Sequence, residues 1–194
     1  MRKLLLILAT TFSMLYAEAQ TVEVDLQVGI TSPKGSAFEH CVRAGIGYSL
    51  DVMYTPGLLD DQLSFGIAKD GNLIFLASGS WKQQGVDLHA SILGLWGAKS
   101  RFSLNNNGPR PYGALTIGAA HLKSFYLYDE FGDGSSLVTN KLEDYKFCVK
   151  PEIGVAFGCF TVSMGWIIPT EFCDKSTGYK LRATALQYNI GFRF

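Results

Sequence analysis

The chain has 194 residues, a formal net charge of zero, 47% apolar residues, 13% aromatics and 21 glycines. That length suits one domain rather than two. The neutral balance excludes a nucleic-acid binder, which needs a clustered basic surface. Glycine and aromatics with few charges suit short strands and a wide apolar surface.

Residues 1–19 read as a secretory signal peptide. Arg2 and Lys3 form a basic start, and an apolar stretch runs from Leu4. Ala17-Glu18-Ala19 supplies small residues for cleavage, with Gln20 as the mature start. An uncleaved anchor is the competing reading, but Thr10, Thr11 and Ser13 interrupt the stretch. No later run approaches the roughly 18 apolar residues of a transmembrane helix. The expected mature domain, residues 20–194, is therefore soluble or crosses a membrane as strands.

From Gln20 onward the dominant period is two. Val22, Val24, Leu26, Val28 and Ile30 alternate with Glu23, Asp25, Gln27 and Gly29. Ala44 to Tyr54 repeats the pattern, with Arg43 and Asp51 on the polar face. Such alternation marks strands with one apolar and one polar face. A third strand is expected over Gln62 to Ala68. A fourth is expected over Val86 to Ala98, its later half (Leu93 to Trp96) ambiguous in facing. A fifth spans Pro111 to Lys123. The sixth, Tyr145 to Phe157, sets Phe147, Val149, Ile153 and Val155 against Lys150, Glu152 and Gly154. Pro151 within it removes a ladder donor and predicts a bulge. The seventh is Phe160 to Ile168 and the eighth Lys180 to Phe194.

The joints at Pro56-Gly57, Asn107-Gly108-Pro109 and Gly158-Cys159 are turn-rich, whereas Thr31–His40, Lys69–Gly85, Ser124–Asp144 and Pro169–Tyr179 are long and polar. Residues 99–110 are long for an inner turn, and Leu73 to Ala77 reads as a hairpin extension within its loop. Short inner turns and long outer loops fit a barrel spanning an outer membrane. The predicted fold is all-β: an eight-stranded antiparallel up-and-down transmembrane β-barrel.

Alternation alone does not say which face is apolar outside. A lipocalin-like periplasmic barrel that binds an apolar ligand would bury the apolar face. Inversion is favoured because the polar face carries opposite charges in mid-strand, namely Glu23, Asp25, Arg43, Asp51, Lys150 and Glu152. These can pair in a narrow lumen, and glycines on the same face make room for them. Aromatics gather near strand ends, Phe157 and Phe160 at the inner rim and Tyr145, Phe147 and Phe172 at the outer, as two membrane interfaces require.

The chain ends on TALQYNIGFRF. This resembles the terminal strand of bacterial outer-membrane barrels, and Tyr188, Ile190, Phe192 and Phe194 match residue by residue. The resemblance implies insertion by the barrel-assembly machinery and a lipid-embedded location in the outer membrane. Arg110-Pro111-Tyr112-Gly113 and Pro151-Glu152-Ile153-Gly154-Val155 resemble the fifth and sixth strands of OmpA/OmpX-like or PorT-like small barrels. No peptidoglycan-binding domain is expected.

Candidate chemistry is sparse. Cys41, Cys148, Cys159 and Cys173 lack metal-site spacing, so neither a metal nor another cofactor is expected. Export allows disulfides. Cys148 and Cys173 fall near the outer rim and are the candidate pair, with Cys41 competing for Cys173. Asp87, His89 and Ser91 share one strand face, but parallel side chains do not converge as a triad, so no catalytic residue is assigned. The segment Tyr126-Leu127-Tyr128-Asp129-Glu130-Phe131 offers aromatics with acids: Tyr126, Tyr128, Asp129 and Phe131 are candidate contacts for an extracellular or envelope ligand. The expected function is non-enzymatic surface contact. A lipid-modifying barrel enzyme is the alternative, alongside the lipocalin-like reading.

Overall fold

A computed structural model describes residues 21–36, 44–57, 59, 61–77, 88–104, 108–129, 136–173 and 180–194. For residues 21, 75–77, 88–90, 124–129 and 136–142 it describes the backbone alone. The expected signal peptide, Cys41 and Arg43 lie outside these residues.

The strands in chain order are β1 (Thr21–Lys34), β2 (Gly45–Thr55), β3 (Leu63–Ala77), β4 (Leu88–Ser103), β5 (Arg110–Asp129), β6 (Ser136–Phe157), β7 (Phe160–Pro169), β8 (Phe172–Cys173), β9 (Lys180–Leu181) and β10 (Thr184–Arg193). Eight of them close into an antiparallel barrel in the order β1-β10-β7-β6-β5-β4-β3-β2, while β8 and β9 pair separately. The first and last barrel strands seal the sheet. Val28 stands opposite Ile190 and Leu26 opposite Phe192. Backbone bonds of 2.9 Å in both directions tie Val24 to Phe194. Closure leaves no open edge, which a hydrocarbon surrounding demands.

The apolar face points outward on every barrel strand. Ile30, Ile67, Ile153, Trp166 and Ile190 are exposed, whereas Asp25, Asp51, Asp70, Lys99, Arg101, Lys150 and Glu152 are buried inside. This is the inversion that distinguishes a membrane barrel from a lipocalin-like one. The barrel is not level. β7 and β10 have 10 residues each, close to the 9–11 needed to cross a bilayer, but β5 has 20 and β6 has 22. β3 and β4, of 15 and 16 residues, rise with them on the same side.

Three expectations from the sequence need correction. β4 does not stop at Ala98 but continues through Lys99 and Arg101 to Ser103. Leu93 and Leu95 continue its inward face as apolar side chains, which hides the period. Pro151 makes no bulge: the β6–β7 ladder skips Lys150 and Pro151 and resumes in the same register at Glu152↔Gly165. The register shift lies instead between Phe125 and Leu127, against β6. The final strand is broken, because Lys180 and Leu181 leave the barrel wall to pair with Cys173 and Phe172. Leu73 to Ala77 does extend the β3–β4 hairpin.

Candidate functional site: a charged lumen beneath an apolar plug

Because side chains alternate along every strand, each strand delivers every second residue to a narrow lumen. Near the inner end, Arg101 Nη1 donates to Asp25 Oδ2 at 2.5 Å, and its Nη2 bonds Glu23. Arg193 Nε reaches Asp25 Oδ1 at 2.7 Å. Both guanidinium groups lie over the Tyr112 ring, at 5.8 and 5.4 Å from its centre. The Tyr112 hydroxyl donates to Glu152 Oε1 at 3.1 Å and so links this group to the next.

In that next group Lys99 Nζ bonds Asp51 Oδ2 at 2.5 Å and Glu152 Oε2 at 3.0 Å. Lys150 Nζ bonds Asp70 Oδ1 at 2.6 Å and lies 3.4 Å from Glu152 Oε2. Seven of the eight barrel strands thus meet in one ionic network, and β7 adds Ser163, whose hydroxyl donates to Gln27 at 2.8 Å. Glycines make the space. A Cβ at Gly165 would stand 2.6 Å from Lys150 Cε, and one at Gly154 would collide with the Tyr112 ring. Above the ions a neutral layer follows: Thr31 and Gln187 both donate to Asn72 Oδ1, at 2.6 and 2.7 Å.

The outer half of the lumen is apolar. Ile74, Leu93, Leu95, Ala120, Leu122, Cys148, Ile167, Phe172, Ala183 and Ala185 form one buried cluster, with Leu181 packed against it. The β8–β9 strap closes this plug from above. Cys173 N donates to Asp144 Oδ2 at 2.8 Å, Arg182 Nε pairs with Glu171 at 2.9 Å, and Arg182 N donates to Ser36 Oγ at 3.0 Å. Phe172 therefore faces inward, fully buried, and not the outer membrane interface. A residue after a strand end has no fixed parity, so alternation cannot place it.

Of the six charges expected in the lumen, Glu23, Asp25, Asp51, Lys150 and Glu152 meet there, while Arg43 lies outside the described residues. Sequence reasoning missed Asp70, Lys99, Arg101, Tyr112 and Arg193. Extending the inward parity of β3, β4 and the last strand would have found four of them. The candidate Cys148–Cys173 disulfide is not formed. Cys148 is a buried thiol pointing into the plug, and its Sγ donates to the Val149 carbonyl at 3.6 Å. Cys159 stands exposed in the β6–β7 turn, where Gly158 takes the positive φ of 59° that a tight hairpin needs.

Tyr126, Tyr128 and Asp129 lie on the raised end of β5. Tyr126 falls at the register shift, and Tyr128 and Asp129 pair with Leu137 and Ser136. Their side chains and Phe131 are outside the description. Tyr188, Ile190, Phe192 and Phe194 all face outward, Phe194 most exposed at 74%. Of the three residues considered as a triad, Ser91 is sealed inside the lumen and Asp87 lies outside the described residues. Among the described residues no cluster could hold a metal ion.

A closed antiparallel barrel of eight strands, apolar outside and ionic within, is the architecture of the small outer-membrane proteins. Solved structures agree on this fold. Neisserial surface protein A (NspA) superposes with a TM-score of 0.55 at 10% identity, over 91% of this chain and 98% of that one. Ail, the attachment invasion locus protein of Yersinia pestis, gives 0.50 at 15% identity over 89% of this chain, both alone (98% of that chain) and with the heparin analogue sucrose octasulfate (99%). No protein-family model and no curated protein matches the chain. The chain has the fold of an OmpA/OmpX-like eight-stranded transmembrane β-barrel.

Proposed function

We propose that the chain is an exported outer-membrane protein whose barrel is an inert anchor and whose raised hairpins make contact outside the cell. The observation that carries this reading is the unequal height of the wall. β5 and β6 have about twice the residues that a crossing needs, so their hairpin stands roughly 20–25 Å above the apolar band. The lumen beneath is filled by paired charges and an apolar plug, so it offers neither an open conduit nor a reaction chamber. The fold's neighbours carry names of the same kind, a surface protein and an attachment protein, the latter also crystallised with a heparin analogue.

Tyr126, Tyr128 and Asp129 of this hairpin, with Phe131 next in sequence, are the proposed contact residues, because aromatics with a few acids suit a contact surface. The test displays the full chain on cells and measures binding to immobilised extracellular-matrix proteins and glycans. Binding to at least one probe is expected, together with a loss of about tenfold or more when Tyr126, Tyr128 and Phe131 become Ser. Absence of binding across the panel by correctly displayed protein would refute the reading. Residues 1–19 are the proposed signal peptide, so the displayed protein should begin at Gln20 on N-terminal sequencing.

Tyr188, Ile190, Phe192 and Phe194 are the proposed assembly signal. Removing Phe194 deletes one outward ring and its two backbone bonds to Val24, a local loss at the inner rim. Insertion in cells should therefore fall far more than refolding in detergent does. Equal effects in the two assays would mean that Phe194 serves closure alone.

A further inference from the structure

Lys69 is anomalous for a lipid-facing wall. It sits on the outward face of β3, exposed, between Ile67 and Gly71 along the strand and between Leu50 and Trp96 across it. A strand tilted by about 40° climbs roughly 2.5 Å per residue, which puts Lys69 about 15 Å above Leu63. That is near the middle of an apolar band about 25 Å tall. The lysine stem spans about half of the way to either water interface, so snorkelling cannot fully rehydrate the ammonium. Among the described residues no carboxylate pairs with it, and a charge at this depth is costly against lipid.

The surroundings are also unusual. Trp96, directly opposite Lys69, is 65% exposed. It lies inward of the level where tryptophans gather, marked on this side by the stacked His121–Tyr145 pair, whose strand partner is Gly94. Around Trp96 the outward positions are small: Gly71 pairs with Gly94, Ala98 with Ile67, and Ala119 with Trp96 itself. Small residues around one aromatic knob permit close approach of another protein within the bilayer.

We propose that this face of β3, β4 and β5 docks a second, different outer-membrane protein that presents a carboxylate from its own lipid-facing surface to Lys69. Charge selects the occupant. On the barrel strands, the outward acid among the described residues is Glu143, near the outer end and beside His121, so another copy of this chain brings no carboxylate to the required depth. A lipid phosphate stays at the headgroup level. A partner carboxylate at matching depth neutralises the ammonium where Coulomb attraction is least screened.

The test places a photoreactive benzophenone amino acid at Ala98 of the full chain in living cells and identifies adducts by mass spectrometry. One adduct to another outer-membrane protein is expected. It should survive Lys69→Arg, fall by about tenfold or more in Lys69→Glu, and return in Lys69→Glu when the partner's contacting acid is changed to Lys. Heat-modifiable gel mobility shows that each variant closes. Should Lys69→Glu fail to close, Lys69→Met, which suits the apolar wall, takes its place for the loss measurement. An adduct at twice the mass of this chain, adducts to lipid alone, or a protein adduct indifferent to the charge at position 69 would each overturn the proposal.

Discussion

Lys99→Met is expected to lower the stability of the folded barrel by about 3–5 kcal/mol. The Lys99 side chain is buried between Asp51 and Glu152, at 2.5 and 3.0 Å. Methionine fills the space of the stem but returns nothing to the two carboxylates. Glu152 keeps Tyr112 and the more distant Lys150, whereas among the described residues Asp51 keeps a 3.4 Å contact from the Ser49 hydroxyl. An ion stranded in a water-poor lumen is the large cost, greater than the net worth of the pair that held it. The double change Lys99→Met with Asp51→Leu should therefore recover a substantial part of the loss, because it removes the stranded charge. Equilibrium unfolding by urea in detergent, applied as a double-mutant cycle, measures both. A loss below about 1 kcal/mol for Lys99→Met would mean that water enters the lumen and screens the pairs.

The architecture was legible because lipid imposes a simple rule on a barrel wall: apolar out, polar in, at period two. Parity alone sets Glu23, Asp25, Asp51, Lys150 and Glu152 on inward faces, since each stands between outward apolar neighbours. The rule fails where the lumen itself turns apolar. Leu93 and Leu95 face inward beside outward Ile92 and Trp96, so that stretch of β4 reads as a run without period. Lys99 and Arg101 beyond it therefore read as part of a connection. Asp70 is hidden in the same way: the alternation expected for the third strand ends at Ala68, although the inward parity of β3 runs on through Asp70, Asn72 and Ile74. Arg193 stands between the outward Phe192 and Phe194, so the same parity turns it inward to its bond with Asp25. Lys69 reads from the sequence as the start of a polar connection, and only the register with Leu50 and Trp96 brings it to mid-wall.

Phe172→Ala is expected to open the outer mouth of the barrel. Phe172 is fully buried, and it carries the strap into the cluster of Ile74, Leu93, Leu95, Leu122 and Ile167. Truncating a buried phenylalanine costs about 3–5 kcal/mol through lost transfer energy and the cavity left behind. Among the described residues the strap is further held by a two-residue pairing with β9, the Leu181 side chain against the cluster, the Cys173–Asp144 bond and polar contacts at the exposed Arg182. Ionic contacts at exposed side chains contribute little, so the cost should appear as local undocking of the strap rather than unfolding of the wall, whose ladders do not include Phe172. Cys148 reports this directly. It lies buried in the plug beneath the strap, whereas Cys159 in the opposite turn is exposed and serves as an internal standard. With maleimide labelling of the folded protein, Cys159 should react at the same rate in both forms, and Cys148 should react at least about tenfold faster in Phe172→Ala. Phe172→Leu, which keeps an apolar group in the plug, should show a smaller increase. Equal Cys148 rates in the parent and in Phe172→Ala would show that the outer mouth is held shut by the wall-borne side chains alone.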